Sequence, residues 1–93
     1  MFCGVATSTA KTGKMDQLIA AASEHAEALR REPGCVAAYV LREREGSGQL
    51  SMSIFESEEA FARAVNATRP VIARHHLEEL VERPPEFHFF EVC

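Results

Sequence analysis

The strand-like segments of this 93-residue chain are apolar on both of their faces, which limits how it can fold. Both "CVAAYVL" at 35–41 and "FHFFEV" at 87–92 place apolar residues at even and at odd positions. An antiparallel sheet with one wet face alternates apolar with polar residues, so these strands are expected to be covered on both sides. The helices of a small domain cover only one face, and an uncovered apolar face usually marks an interface. We therefore predict a homodimer that packs sheet against sheet.

The first half of the chain reads as strand, helix, strand and strand. Residues 2–9 are rich in small and β-favouring types, and apolar residues spaced by three and four from Met15 onward predict a helix. Thr12 is a candidate N-cap, and Pro33 and Gly34 stop the helix. Strands are predicted over 35–45 and 49–55, joined by a Gly-Ser-Gly turn.

The second half predicts one helix in two pieces and a closing strand. Ser57 is expected to cap the first piece, Pro70 to open the second, and Pro84 to end it before a strand over 86–92. The order is β-α-β-β-α-β, which indicates an α+β, ferredoxin-like domain with a four-stranded antiparallel sheet over residues 1–93.

Composition excludes several classes of partner and site. The net charge is −4 and no block of Lys or Arg stands out, which argues against nucleic acid. No apolar run reaches about 18 residues, so no membrane span is predicted. The three cysteines have no metal-like spacing and indicate a cytoplasmic protein with reduced thiols. Antiparallel pairing of the first and last strands could bring Cys3 near Cys93, with free thiols as the default.

The adjacent histidines His75 and His76 are the motif of the chain that most suggests a metal or catalytic site. Adjacent helical residues point about 100° apart, so the pair cannot serve one metal as histidines at i and i+4 would, and no metal site is predicted. On a helical wheel His75 points to solvent and His76 borders the apolar face, with Glu79 a local partner for both. His76 is therefore a candidate proton-transfer group at the edge of a cavity, the alternative being a surface residue.

Four other polar residues each allow a structural and a functional interpretation. Asn66 ends the first helical piece as a cap, or donates a hydrogen bond to a substrate oxygen. Tyr39 packs across strands, or orients a phenolic ligand. His88 lies on the strand face opposite Phe87 and Phe89, at an interface or a cavity, and His25 flanks the apolar stripe of the first helix.

Three stretches resemble the antibiotic biosynthesis monooxygenase (ABM) family of dimeric α+β barrels. They are "EPGCVAAYVL" at 32–41, "SIFESEEAF" at 53–61 and "ERPPEFHFFEV" at 82–92, in the family's order and spacing. The resemblance implies a dimer with a cavity between helices and sheet in each subunit. Many members oxygenate aromatic polyketide-type substrates with no metal, flavin or haem, because the electron-rich substrate itself reduces O2.

The sequence also departs from active relatives. Haem-degrading members use an Asn on the first strand and a Trp in the second helical region, whereas this chain has no Trp and no Asn in "FCGVATS". Its first functional hypothesis is a cofactor-independent monooxygenase acting on an aromatic or quinol-like ligand, with Asn66 and His76 as polar groups. The candidate cavity walls are Tyr39, Met52, Phe55, Phe61 and Ile72. The alternatives are a non-catalytic ligand-binding or stress-related dimer and, third, a haem degrader or isomerase.

Overall fold

The computed structural model describes all residues 1–93 and contains four strands, three α-helices and one short 3₁₀ turn. The strands are β1 (Phe2–Thr9), β2 (Cys35–Arg42), β3 (Gly48–Phe55) and β4 (Glu86–Glu91). The helices are α1 (Met15–Arg30), α2 (Glu58–Ala67) and α3 (Arg69–Ala73), and the 3₁₀ turn is Leu77–Glu79. The predicted element order and the α+β, ferredoxin-like fold are confirmed.

The sheet is antiparallel throughout, with the strand order β2-β3-β1-β4. Helix α1 packs on β2 and β3, and α2 packs on β3 and β1, so no helix packs extensively on the edge strand β4. This order follows from two crossover connections that place both helices on one face. The sheet therefore has a helix side and an open face without any covering element.

Gly4 in β1 faces the helices, because a Cβ built there would lie 2.8 Å from the Phe61 ring of α2. This position shows which side of the sheet each strand residue points to. Alternation along the strands then assigns the other side chains, apart from the register irregularity between Cys35 and Ala37 in β2. The helix side holds Phe55, which is fully buried, and the buried Ala38. The open face holds Cys3, Val5, Leu41, Leu50, Met52, Ile54, Tyr39, His88 and Phe90.

The core is thin, since only 16 of 93 residues are buried. Its larger cluster packs Leu29 of α1 and Phe55 of β3 among alanines of both helices and β2. Its smaller cluster joins Ala10 and Leu18 to Leu80 and Val81, where the chain after the 3₁₀ turn bridges back to the end of β1. A domain of this size buries only about 60–65% of its unfolded surface, so further burial by association would add much.

The termini of the helices confirm one predicted cap and correct another. Ser57 accepts a hydrogen bond from the Ala60 amide at 3.1 Å, as expected for the N-cap of α2. Thr12 is not the cap of α1, because the helix begins one residue after Lys14 and no side chain caps it. Gly34, at φ +86°, follows α1, and its backbone lies against Ala60 in a conformation that favours glycine.

Two predicted boundaries are wrong. Strand β2 ends at Arg42 and not at residue 45, because the chain turns at once into the loop before Gly48. The second helical piece was expected to run to Pro84, yet α3 ends at Ala73 and His76 adopts a left-handed conformation, with φ 49°. A left-handed residue breaks the helical repeat, so positions after Arg74 no longer follow the wheel.

Candidate functional site

An aromatic cluster lies on the helix side of β1 and β4, and we call it the aromatic shelf. It consists of Phe2, Phe61, Phe87 and Phe89. The Phe61 ring centroid lies 5.0 Å from that of Phe2 and 5.9 Å from that of Phe89, and Phe2 stacks on Phe89 at 5.6 Å. These distances are typical of favourable aromatic pairs.

The shelf is open because the helix layer stops before β4. Phe87 and Phe89 are 64% and 56% exposed, although both point to the same side as the core. Gly4, opposite Phe89, has no side chain, which lets the Phe61 ring lie against the sheet. The surface so formed presents the edges and faces of several rings, and it can take a flat apolar ligand by stacking.

The open face of the sheet is a second apolar surface. Tyr39, Leu41 and Phe90 are 55%, 48% and 56% exposed there, and Val92 continues the same alternation. Strand β3 adds Leu50, Met52 and Ile54 to this face, whereas its Gln49 and Ser53 are buried on the helix side. Exposed apolar patches of this extent mark interaction surfaces in soluble proteins.

The histidine pair does not lie as its helical wheel predicts. The side chain of His75 is only 26% exposed, and its Nε2 lies 2.6 Å from Glu24 Oε2 on α1. The side chain of His76 is 65% exposed and lies 3.7 Å from Glu78. The expected order of burial is thus reversed and Glu79 is the partner of neither, because the left-handed turn at His76 ends the helical geometry. The catalytic role of His76 stays a prediction.

A second histidine contact joins α1 to the junction of α2 and α3. His25 Nε2 lies 3.0 Å from the Thr68 hydroxyl, which itself donates to the Ala64 carbonyl at 2.8 Å. Burial lowers the pKa of His25, because the charged imidazolium is desolvated between the helices. Burial also raises the pKa of the Cys35 thiol, against the opposing effects of the Ala37 backbone and of Arg30.

The predicted cavity walls are divided between the two faces. Phe61 belongs to the aromatic shelf, Phe55 is fully buried beneath it, and Ile72 is half-buried on α3. Tyr39 and Met52 face each other across β2 and β3 on the open face, so the five residues cannot line one cavity within a subunit. Asn66 is exposed near the end of α2.

Phe2, Phe87 and Phe89 were not among the predicted walls. Their signal in the sequence was the aromatic alternation of β4, combined with a strand order that leaves β4 outside the helix layer. Two depressions lie elsewhere: an open groove of about 340 Å³ at Arg30 and residues 35–39, and one of about 80 Å³ at Arg83 and residues 7–9. No group of three metal-ligating side chains is present, and no helix is long and apolar enough to cross a membrane.

The fold is that of a ferredoxin-like α+β domain, and it carries two apolar surfaces. Residues 1–82 match the family model described as antibiotic biosynthesis monooxygenase. The chain therefore belongs to the antibiotic biosynthesis monooxygenase family, and the predicted resemblance is confirmed. None of the curated protein sequences matches it closely enough to count as a relative.

Solved structures share this fold over nearly the whole chain. Rv0793 of Mycobacterium tuberculosis is 16% identical, with a TM-score of 0.85 over 99% of this chain and 94% of that one. SnoaB of Streptomyces nogalater, a cofactor-independent oxygenase, is 23% identical, with a TM-score of 0.79 over 99% and 92%. Protein SO0527 of Shewanella oneidensis is 26% identical, with a TM-score of 0.82 over 96% and 87%. Identities under 25% show a common fold and leave the reaction open.

Proposed function

We propose that this protein is a cofactor-independent monooxygenase that oxidises a small aromatic or quinol-like substrate on the aromatic shelf. The observation that carries the proposal is the aromatic shelf in a chain of the monooxygenase family: the rings of Phe2, Phe61 and Phe89 pack on one another, and Phe87 and Phe89 are exposed beside them. The likeness to SnoaB, described as a cofactor-independent oxygenase, supports the same reaction type.

The chemistry needs only an electron-rich substrate and O2. When a methylene between two aryl rings becomes a carbonyl, one oxygen atom enters the substrate and the other leaves as water with the two methylene hydrogens. All the electrons come from the substrate, so the protein's task is to bind its reactive form in a fixed orientation. The stacked rings of the shelf supply that surface.

Asn66 and His76 remain the proposed polar groups of the site. Both are exposed, so each would reach a substrate only at the rim of the shelf. The amide of Asn66 would donate to a substrate oxygen that gains negative charge, and the imidazole of His76 would accept a phenolic proton. Asn66→Ala and His76→Gln test these roles through the pH dependence of turnover.

The proposed assembly is a homodimer joined through the open sheet face. The exposed apolar residues of β2 and β4 on that face support it, as does the thin core of a single subunit. The cytoplasmic location expected from the cysteines stays part of the proposal, and all three thiols are free.

The test is oxygen uptake with a panel of hydroxyanthracenes and quinols, with and without protein. Phe89→Ala should lower kcat/KM roughly tenfold, because one exposed stacking ring is worth about 0.5–1.5 kcal/mol beyond its buried area. Val36→Ala, which removes a side chain of similar exposure away from the shelf, should leave the rate unchanged. Uptake no faster than without protein across the panel would contradict the oxygenase.

A non-catalytic ligand-binding dimer is the second candidate, and one observation favours it. The groups whose pKa is clearly shifted are His25 and Cys35, and neither belongs to the shelf. Active sites tend to concentrate such shifted groups. Ligand fluorescence separates the two functions: saturable binding that Phe89→Ala weakens, without oxygen uptake, would establish the binding protein.

A further inference from the structure

Residues 68–76 connect α2 to the 3₁₀ turn and lie along α1, and we call them the hinged segment. Helix α3 within it has five residues, none of them buried. Its internal hydrogen bonds run from the amides of Val71, Arg74 and His75 to carbonyls of the same segment. Little apolar burial therefore holds the segment in place, and polar contacts must do so.

Polar contacts with α1 fasten the hinged segment at both ends. At its start, the imidazole of His25 meets the buried Thr68 hydroxyl at 3.0 Å. At its end, one carboxylate oxygen of Glu24 lies 2.6 Å from His75 Nε2, and the other binds Arg74. Two consecutive residues of α1, Glu24 and His25, thus contact the two ends of the hinged segment, at His75 and Thr68.

The two ends respond differently to acid. The Thr68 hydroxyl has one proton, which it donates to the Ala64 carbonyl, so the ring of His25 donates to it from Nε2 whether or not Nδ1 carries a second proton. A proton added at Nδ1 would place a charge between helices, where no carboxylate lies within 4.0 Å of the ring. At the other end, the Glu24 carboxylate contacts both Arg74 and the His75 ring, so an opposite charge lies beside that imidazole.

Charged groups lie on each of the three elements around His25. They are Glu24, Glu27 and Arg30 on α1, Glu58, Glu59 and Arg63 on α2, and Arg69, Arg74 and His75 on the hinged segment. Arg74 and His75 are bound to Glu24, so this carboxylate is already shared. Arg69, next to Thr68, is a further positive charge and would disfavour an imidazolium at His25.

We propose that the hinged segment opens away from α1 at acidic pH and that protonation of His25 is the event that releases it. Opening would let water solvate the imidazolium more fully, because the ring is half-buried while the segment is closed. It would also carry Ile72 and His76 away from the helix layer and uncover that side of the domain. The inference rests on neither the oxygenase activity nor the dimer.

Hydrogen exchange of the segment, read by mass spectrometry between about pH 5 and pH 8 and corrected for intrinsic rates, tests this directly. Uptake of one proton makes the opening constant rise by up to about tenfold for each pH unit between 6.5, where free histidine titrates, and the lowered pKa of His25 in the closed segment. The expected result is a loss of protection at the amides of Val71, Arg74 and His75, with the amides of α1 unchanged. Protection independent of pH would overturn the proposal.

Matched variants assign the effect to one group. His25→Gln keeps a donor for Thr68 but cannot titrate, and should remove the pH dependence. His88→Gln, on the other side of the sheet, should retain it. Glu24→Gln should lower protection at every pH while the dependence persists. An unchanged pH profile in His25→Gln would refute the assignment.

A second measurement uses the unmodified protein, so it tests the proposal even if His25→Gln does not fold. In the unmodified protein, the NMR titration of the His25 ring and the shifts of the segment amides should share one midpoint. Two separate midpoints would show that another group opens the segment, which overturns the role of His25.

Discussion

Phe89 and Phe90 form a natural pair of controls, because they are adjacent, equally exposed and on opposite sides of the sheet. Each is 56% exposed, with Phe89 on the aromatic shelf and Phe90 on the open face. If the open face is the dimer interface, Phe90→Ala should weaken association, and Phe89→Ala should leave it intact. The two substitutions remove the same atoms, so they differ only in the face that loses them.

The magnitude follows from the exposed area. An aromatic side chain buries roughly 200 Å², so the 56% of Phe90 that is exposed amounts to about 110 Å². At about 25 cal/mol per Å² its burial contributes about 2.8 kcal/mol, of which about 2 kcal/mol is lost when the β-carbon remains. A two-fold symmetric interface contains the residue twice, so the dimer should lose about 4 kcal/mol and its Kd should rise roughly 1,000-fold.

The assay is sedimentation velocity, with light scattering after size exclusion, over protein concentrations from about 0.1 to about 100 μM. The parent and Phe89→Ala should remain dimers over this range, and Phe90→Ala should dissociate within it. The thermal midpoint of Phe90→Ala should also depend more strongly on protein concentration. Equal association of the two variants, or a parent that is monomeric throughout, would refute the reasoning.

Three further predictions concern single contacts. Gly4→Ala places a Cβ 2.8 Å from the Phe61 ring and should cost about 1–3 kcal/mol in urea unfolding; an unchanged midpoint would mean that the ring moves freely. Ser57→Ala removes the N-cap bond to Ala60 and should cost about 1 kcal/mol in the same assay, whereas Ser57→Asp should restore it. Burial lowers the pKa of His25, so the unfolded state binds more protons than the folded state below pH 6.5. Stability should therefore fall as pH drops through that window, and His25→Gln should flatten the fall; an equal slope in both proteins would contradict this.

The strands and the topology could be read from the sequence because their signals are local. The run "FCGVATST" coincides with β1, and the alternation in "QLSMSIF" coincides with β3 apart from its first residue. Ser57 followed by two glutamates is a local capping signal, and the structure contains that cap. Short-range periodicity and turn chemistry were sufficient for these elements.

The histidine pair shows where local reasoning ends. The wheel assumed one continuous helix, and a single left-handed residue at His76 invalidated the positions that it assigned. The actual partner of His75 is Glu24, which lies 51 positions away along the chain. No periodicity contains such a contact, because it depends on how α1 and α3 pack.

The aromatic shelf was missed for a related reason. Alternation assigned Phe87 and Phe89 to one side of β4 but could not tell whether a helix covers that side. The strand order places β4 at the edge, where the helix layer ends, and both rings are left exposed. Exposure here is a property of the assembled layers and is absent from the pattern of any one strand.

Strand β3 gives the strongest physical reason to expect a second layer on the open face. Its Gln49 and Ser53 are buried under the helices, and its Leu50, Met52 and Ile54 point outward. The helix side tolerates small polar residues because Gln49 donates to Ser51 and no buried side-chain polar atom lacks a partner. Most of the apolar area of a central strand thus faces away from its own helices. An isolated subunit would leave this area against water, whereas a second copy of the same face would cover both at once. Only 16 residues of one subunit are buried, and the proposed dimer would add the apolar surface of the open face to that burial.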